Sequence, residues 1–252
     1  AGIKNDNKNA FKAIGNINVV KDNPTIDVDL QFKDFDLNVL NPFLKNVLNN
    51  IRGQATGKAK VVGNLKKPNF NGELYLYKSG LGIPYLNVDY NFEDNASVSL
   101  KNQSFVFNNI NITDVKHNSK GVLFGEVNHS NFAKWNLDLG VKTPRLLVLD
   151  TKQTDESLYF GTGFIGGRAT VKGPVEELLI SVEGETKAGT IFKIPIDDTE
   201  SFGDNSFIHF ITSEQKLAKE NGEDFVLEEI KGLELYFDLD VTEDAEVEII
   251  ID

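Results

Sequence analysis

The strict alternation of apolar and acidic residues over positions 233–251 limits the possible folds of this chain most. Apolar residues occupy almost every second position, and the residues between them are mostly Asp and Glu. Successive side chains of a β-strand point to opposite faces, so the pattern predicts sheet with one apolar face and one acidic, water-facing side. The stretch is longer than a usual strand and Thr242-Glu243-Asp244 is polar enough to turn, so we predict a β-hairpin.

The same alternation recurs along most of the chain, for example over 26–32, 86–92 and 135–141. A shift of parity after Lys33-Asp34 predicts a β-bulge that keeps the apolar residues on one face. Asp94-Asn95 and Asn108-Asn109 have the chemistry of turns. Strands separated by such turns about every 8–12 residues are typical of an antiparallel or meandering all-β protein without βαβ units.

Two short helices are predicted to interrupt the strands. Asn41-Pro42 resembles a helix start, with Asn as the N-cap and Pro at the first helical position, and an apolar stripe continues to Ile51 before Gly53. We therefore predict a helix over 42–51 that plugs an end of the core. A second short, polar helix is predicted over 214–221.

The composition excludes several classes of protein. Charged residues make up 25% and hydrophobic residues 40% of the chain, which is typical of a soluble folded protein. The net charge of -12 argues against nucleic-acid binding and against general attraction to anionic membranes. No segment approaches the roughly 18–20 apolar residues of a membrane helix. Without Cys the chain has no disulfides, and without Met even at position 1 we expect a piece of a longer protein.

An internal repeat indicates one elongated unit over residues 1–252. The segment 57–63 is similar to 167–173, and each is followed by a Pro, a strand, a Gly and an Ile-Pro pair, so the repeat covers 57–84 and 167–195. Such a repeat favours an extended stack of strands over a closed barrel.

The Gly-rich segment 161–166 matches the dinucleotide fingerprint GxGxxG. That fingerprint binds a pyrophosphate only when a helix N-terminus follows it, and residues 168–173 continue as a strand. The histidines His117, His129 and His209 lack the spacing of metal ligands, and we interpret His129 near Trp135 as a packed structural residue. No cofactor or metal is predicted.

Paired carboxylates offer the remaining candidates for chemistry. Asp27 and Asp29, like Asp238 and Asp240, share a sheet face and could serve glycoside hydrolysis or bind calcium. They lie within predicted strands rather than in a calcium-binding loop, so solvation of the outer face is the favoured role. No Ser lies in a nucleophile elbow. The sequence therefore predicts a protein that is not an enzyme.

Several of these motifs together resemble the carboxy-terminal region of the TamB family, in the form found in Bacteroidota. The matching segments are 53–76, 80–86, 125–139, 145–151, 184–195 and 232–252. TamB is the translocation and assembly module protein within the AsmA-like group of bridge-like lipid transfer proteins. The resemblance implies an all-β fold, a sheet curled into a U-shaped, taco-like groove with an apolar interior.

The same resemblance implies a function. It predicts a periplasmic conduit segment that shields phospholipid acyl chains between the two membranes and supports outer-membrane biogenesis and protein assembly. The full-length protein is expected to be anchored in the inner membrane and to reach an outer-membrane barrel protein similar to TamA or BamA. Phospholipid is the expected ligand.

Alternation and resemblance together predict which residues line the groove. They are Val28, Leu30, Phe32, Leu74, Leu76, Val88, Tyr90, Phe92, Trp135, Leu137, Leu139, Leu233, Leu235, Phe237, Leu239, Val247 and Ile249. The same alternation would suit a β-solenoid or sandwich adhesin whose apolar face is all internal core. A polysaccharide-active enzyme on a β-helix is a further alternative, disfavoured by the missing catalytic site.

Overall fold

The protein folds into one large curved sheet. The computed structural model describes residues 2–5, 8–20, 23–44, 48–153, 159–196 and 233–251. Strands contain 77% of these residues and helices only 5%, and all the strands belong to a single 15-stranded sheet. The prediction of an all-β fold with short helices is therefore confirmed.

The strands are numbered in chain order. They are β1 Gly2–Asn5, β2 Lys8–Asn18, β3 Thr25–Asp36, β4 Asn49–Asn64, β5 Lys67–Ile83, β6 Val88–Phe92, β7 Ala96–Asn102, β8 Ser104–Asp114, β9 Lys120–Ser130, β10 Lys134–Thr151, β11 Phe160–Pro174, β12 Leu178–Thr186, β13 Ile191–Ile196, β14 Leu233–Asp240 and β15 Glu246–Ile251. The described helices are α1 Asn41–Leu44 and the 3-10 helices Leu37–Leu40 and Pro84–Leu86.

The sheet is an antiparallel meander as far as β12. Neighbours in the chain are also neighbours in the sheet, and β6 and β7 lie end to end between β5 and β8. β12 and β13 likewise lie end to end along β11. The last two strands depart from the predicted antiparallel pattern, because β14 pairs in parallel with β12 and β15 in parallel with β13.

The predicted hairpin over 233–251 is therefore wrong. β14 and β15 lie end to end, and the break between them lies beside the break between β12 and β13. The backbone N–H of Thr242 donates to Thr186 Oγ1 at 2.9 Å, and that of Glu246 donates to the Thr190 carbonyl at 3.0 Å. The polar residues 242–244, which suggested a turn, instead lie beside the break between β12 and β13.

The predicted helix over 42–51 is wrong at its C-terminal end. The described part of α1 is Asn41–Leu44, and β4 begins at Asn49, so residues 49–51 are strand. The side chain of Asn41 accepts a hydrogen bond from the Ile51 N–H at 2.9 Å and donates to the Ile51 carbonyl at 2.8 Å. Asn41 thus binds Ile51 as a strand partner would. The second predicted helix, over 214–221, lies outside the described residues.

Positive φ angles occur at bulges in three strands and at one turn. Asp34 in β3, Lys78 in β5, Asn95 between β6 and β7, and Asn109 in β8 all have positive φ angles of 47–63°. The register of β3 on β4 shifts between Phe32 and Phe35, so the bulge predicted there is confirmed. The Asn108-Asn109 pair does not separate two strands as predicted but forms a bulge within β8. Bulges bend the strands that carry them, so those in β3, β5 and β8 contribute to the curvature of the sheet.

The buried core lies at one end of the strands. It contains Ala55, Leu76, Val88, Tyr90, Ala96, Val98, Ile110, Ile112, Leu146, Leu147 and Phe164. We call this cluster the packed end. The packed end lies beside Lys120, where β9 begins. The second half of β10 extends beyond the start of β9 and approaches β6 and the 3-10 helix Pro84–Leu86.

Candidate functional site

The register defines a continuous apolar face. From strand to strand, one line of directly paired residues contains Phe32, Gly57, Leu74, Val98, Phe107, Gly125, Leu139, Val171 and Ile180. Directly paired residues point to the same face of a sheet. We call this side the apolar face and the opposite side the polar face.

The structure brings most of the predicted lining residues onto this face, with different degrees of burial. Ten are half-buried, namely Val28, Leu30, Phe32, Leu74, Phe92, Trp135, Leu137, Leu139, Phe237 and Leu239. Leu76, Val88 and Tyr90 are buried in the packed end. Val247 and Ile249 are 42% and 59% exposed on β15. The backbone register places Leu233 and Leu235 opposite Leu178 and Ile180.

Eight of the half-buried residues belong to neither buried cluster of the described chain, and six remain when Trp135 and Leu239 are set aside. They are Val28, Leu30, Phe32, Leu74, Leu137 and Leu139, and we call them the open stretch. In a sandwich the inward-facing residues of both sheets interdigitate and are withdrawn from water. The open stretch is only half withdrawn, so this part of the apolar face can accept a further apolar surface.

The packed end is held by side chains that replace missing strand partners. Tyr90 Oη donates a hydrogen bond to the Leu147 carbonyl at 2.7 Å, and the Leu147 N–H donates to Ser119 Oγ at 2.8 Å. The N–H and C=O groups of Leu147 therefore both have hydrogen-bond partners, although β9 does not extend alongside this part of β10. Burial raises the pKa of the Tyr90 hydroxyl, with a further contribution from the Asp114 carboxylate.

Asp114 anchors the turn between β8 and β9. Its carboxylate accepts hydrogen bonds from the N–H groups of Lys116, His117 and Ser119 at 2.9, 2.8 and 2.6 Å, and from Ser119 Oγ. Burial raises the pKa of this carboxyl, but the hydrogen bonds outweigh that effect, and the pKa lies below its usual value. The carboxylate has a structural role, because all these donors belong to its own turn.

Aromatic residues gather at the opposite end of the apolar face. His129 and Phe132 are stacked with ring centroids 4.1 Å apart, and Phe70, Phe105 and Trp135 surround them at 5.3–6.4 Å. His129 Nδ1 accepts the Phe132 N–H at 3.2 Å, and burial lowers the pKa of the imidazole. The interpretation of His129 as a packed structural residue agrees with these contacts.

Sequence analysis missed several residues of this face. Those in register with the predicted ones are Phe11, Phe35, Phe70, Phe105, Phe107, Val127, Val171 and Ile180, and Val141 continues the parity of Leu137 and Leu139 on β10. Their own strands show the same alternation, which is the signal that could have identified them. Phe11, Phe32 and Phe35 also form an aromatic cluster, with ring centroids 5.2–6.4 Å apart.

The polar face carries the charged residues. Asp27 pairs with Lys60 at 3.0 Å and Asp138 with Lys172 at 3.5 Å, each between neighbouring strands. The segment 161–166 lies within β11, which continues as a strand to Pro174, so it lacks the helix that a dinucleotide site requires. Among the residues that the structure describes, no group of three acidic or His side chains could hold a metal ion.

The geometry defines a class of protein. It is a large curved sheet with a polar face and a continuous apolar face, and other protein side chains close the apolar face at the packed end but leave the open stretch half-exposed. None of the short helices in the described ranges has the length and hydrophobicity needed to cross a membrane.

Comparison with known families identifies the chain more closely. The family model of the TamB C-terminal domain matches residues 108–252, more than half of the chain, so the protein belongs to the TamB family. The comparisons with curated proteins and with solved structures find no significant match. The family is a lipid-transport and assembly module that spans the periplasm and works with TamA in outer-membrane assembly.

Proposed function

We propose that this chain is a segment of a periplasmic lipid conduit whose apolar face shields the acyl chains of phospholipids between the inner and outer membranes. The open stretch is the observation that carries the proposal. Its six apolar residues lie on three strands, β3, β5 and β10, which are linked in continuous register through the strands between them, and they remain half-exposed although the packed end is fully closed.

The energetic role of such a face is to replace the bilayer. A two-tailed phospholipid has some 30 CH₂ groups, and at about 0.8 kcal/mol for each one its transfer into water costs on the order of 25 kcal/mol. The apolar face, which is continuous from strand to strand, lowers this barrier without a chemical step. The conduit is therefore passive, and it needs no cofactor.

The packed end restricts the path of the lipid. Leu76, Val88 and Tyr90 were predicted to line the groove, but they pack against protein side chains and are at most 7% exposed. Lipid chains would therefore contact the open stretch and the aromatic cluster near Trp135 rather than these three residues. The polar face would keep the outside of the conduit in water.

The proposal also includes the partners of the full-length protein. Its inner-membrane anchor and its contact with an outer-membrane barrel similar to TamA or BamA would place the conduit between two membranes. The segment described here would then form part of a continuous apolar surface, and it would support the insertion of outer-membrane proteins by delivering lipid.

Photo-crosslinking at neighbouring residues tests the proposal. Leu74 and Leu137 lie on the apolar face, and Glu73 and Asp138 are the adjacent residues on the polar face. A photo-crosslinking amino acid at Leu74 or Leu137 should capture phospholipid from cells, and the same amino acid at Glu73 or Asp138 should not. Equal capture on both faces, or none on either, would favour a structural module such as an adhesin.

A further inference from the structure

Three neighbouring turns are joined into one rim beside the aromatic cluster. The Asn131 side chain donates a hydrogen bond to the Lys66 carbonyl, and the Asn131 N–H donates to Gln103 Oε1 at 2.8 Å. Gln103 Nε2 in turn donates to the Pro68 carbonyl at 3.3 Å. We define the rim as the turns around Lys66, Gln103 and Asn131 together with the strand residues that flank them.

The rim is positively charged, whereas the chain as a whole is negatively charged. Residues 64–72, 99–108 and 127–137 contain four Lys and no Asp or Glu, although the whole chain has a net charge of -12. Lys66, Lys67, Lys101 and Lys134 are all exposed. None of the ion pairs formed within the described part of the chain involves any of these four. These segments therefore have a net charge of +4, and Glu73, Glu126 and Asp138 are the acidic residues that directly adjoin them in sequence.

Apolar residues adjoin these lysines. Leu65 is 40% and Phe132 50% exposed, and the Phe132 ring continues into the aromatic cluster that ends the apolar face. Lys67 and Lys134 flank their turns on the polar-face parity of their strands. Long lysine side chains can lie along an edge and place the ammonium group in water. Apolar and cationic side chains thus adjoin, an arrangement that complements the junction between the acyl chains and the anionic phosphate of a phospholipid.

We propose that the rim is a binding site for the anionic phosphodiester headgroup of a phospholipid whose acyl chains lie on the apolar face. The inference rests on the proposed function and adds a preference for acidic lipids such as phosphatidylglycerol. Lysine ammonium groups bind phosphate as point charges. The site ends at the next turn along this edge of the sheet, which contains Glu176 and Glu177 and no lysine. That turn is joined to the rim by a hydrogen bond from the Val175 N–H to the Trp135 carbonyl at 3.2 Å.

The single tryptophan of the chain allows a direct measurement. Trp135 lies in the aromatic cluster beside the rim, so short-chain lipids with brominated acyl chains should quench its fluorescence when they bind. Used as monomers, phosphatidylglycerol should quench at about tenfold lower concentration than phosphatidylcholine or diacylglycerol. In a variant with all four rim lysines changed to Gln, quenching by phosphatidylglycerol should fall to the level of phosphatidylcholine.

Two control variants isolate the charge of the rim. The same four positions changed to Arg should keep the preference, because the positive charge remains. The second control changes four exposed lysines elsewhere to Gln and should also keep it; these are Lys12, Lys33, Lys58 and Lys120. The preference should weaken from 0.1 M to 1 M salt, since the Debye length falls from about 10 Å to about 3 Å.

The outcomes separate this inference from the proposed function. Equal quenching by phosphatidylglycerol and phosphatidylcholine in the wild-type chain would overturn the headgroup site and leave the acyl-chain face intact. No quenching by any lipid would overturn both. A lysine variant that loses binding to intact anionic vesicles but keeps its preference among monomeric lipids would show that the rim docks on membranes instead, which also overturns the headgroup site.

Discussion

The packed end and the open stretch are built from the same alternating strands but differ in what covers their apolar residues. In the packed end, Ile110 and Leu146 are each 1% exposed because the second half of β10 approaches β6. In the open stretch, Leu74 and Leu137 remain half-buried. Alternation thus determines which side chains share a face, whereas the lengths of neighbouring strands determine where that face is closed.

The packed end and the bulge of β3 also satisfy their backbone groups differently. At the packed end Tyr90 and Ser119 supply side-chain partners to the Leu147 backbone in a buried place. At the bulge of β3, the Asp34 N–H donates to Thr56 Oγ1 at 3.0 Å in an exposed place. A buried unsatisfied group costs much more than an exposed one, so the same bond should contribute more to stability at the packed end.

An arginine placed in each region should produce the largest difference. Leu146→Arg buries an unpaired charge, which costs several kcal/mol and should prevent folding. At Leu137→Arg the side chain can extend towards water, so we expect a loss of only about 1 kcal/mol. Thermal unfolding followed by circular dichroism measures both. If Leu137→Arg also failed to fold, the open stretch would be a closed core, as in a sandwich.

Removal of the Asp114 carboxylate should have the next largest effect. Asp114→Ala leaves the N–H groups of Lys116, His117 and Ser119 without their acceptor, so we expect a loss of about 3 kcal/mol. The matched control is Asp94→Ala, which removes an exposed acceptor from the Lys78 N–H and should cost less than about 1 kcal/mol. Urea unfolding gives both values, and equal losses would contradict the comparison.

The same carboxylate makes the packed end sensitive to acid. The folded-state pKa of Asp114 lies below its usual value, so its contribution to stability is complete above the unfolded pKa of about 3.9 and is lost as the pH falls through the folded pKa. The hydrogen-exchange protection factors of residues 116–119, which correct for the intrinsic pH dependence of exchange, should fall below about pH 4, before those of β3 do. Asp114→Ala should remove this difference.

Much of the fold was predictable because alternation is a local property. The apolar parity of β3, β5, β10 and β14 and the bulge after Asp34 follow from the sequence alone. The parallel partners of β14 and β15 do not, because a polar interruption such as 242–244 has the same composition in a hairpin turn and in a gap between two collinear strands. Strand pairing is a tertiary property, and here it selected the gap between collinear strands over the hairpin turn.

The errors at Asn41–Ile51 and Asn108-Asn109 have the same origin. Asn suits a helix cap, a turn and a bulge, because it tolerates positive φ and hydrogen-bonds the nearby backbone. Asn41 binds the backbone of Ile51, and Asn109 has a φ of 54° within β8. The rim was not predicted either, since Lys66, Lys101 and Lys134 are distant in sequence and only the register brings their turns together.

Equivalent hydroxyl groups at the packed end and at the bulge of β3 allow a finer test. Ser119→Ala removes the acceptor of the buried Leu147 N–H and should cost about 2 kcal/mol. Thr56→Val removes the acceptor of the exposed Asp34 N–H, which water can replace, and should cost less than about 0.5 kcal/mol. Chemical denaturation measures the two losses. A larger loss for Thr56→Val would mean that the bulge, rather than the packed end, limits stability.

The smallest expected difference concerns two tyrosines on opposite faces. Tyr90→Phe removes the buried hydrogen bond to the Leu147 carbonyl and keeps the ring, so we expect a loss of about 1 kcal/mol. Tyr75 donates to Glu73 Oε2 at 2.8 Å on the polar face, where Tyr75→Phe should produce no measurable change in the unfolding midpoint. The pKa of both phenols is raised, that of Tyr75 by its hydrogen bond to Glu73 and that of Tyr90 by burial. Because only Tyr90 is withdrawn from water, absorbance titration should show that the phenol lost in Tyr75→Phe ionises at lower pH than the phenol lost in Tyr90→Phe. Equal ionisation of the two phenols would mean that water reaches the packed end, and the contrast between the two regions would then fail.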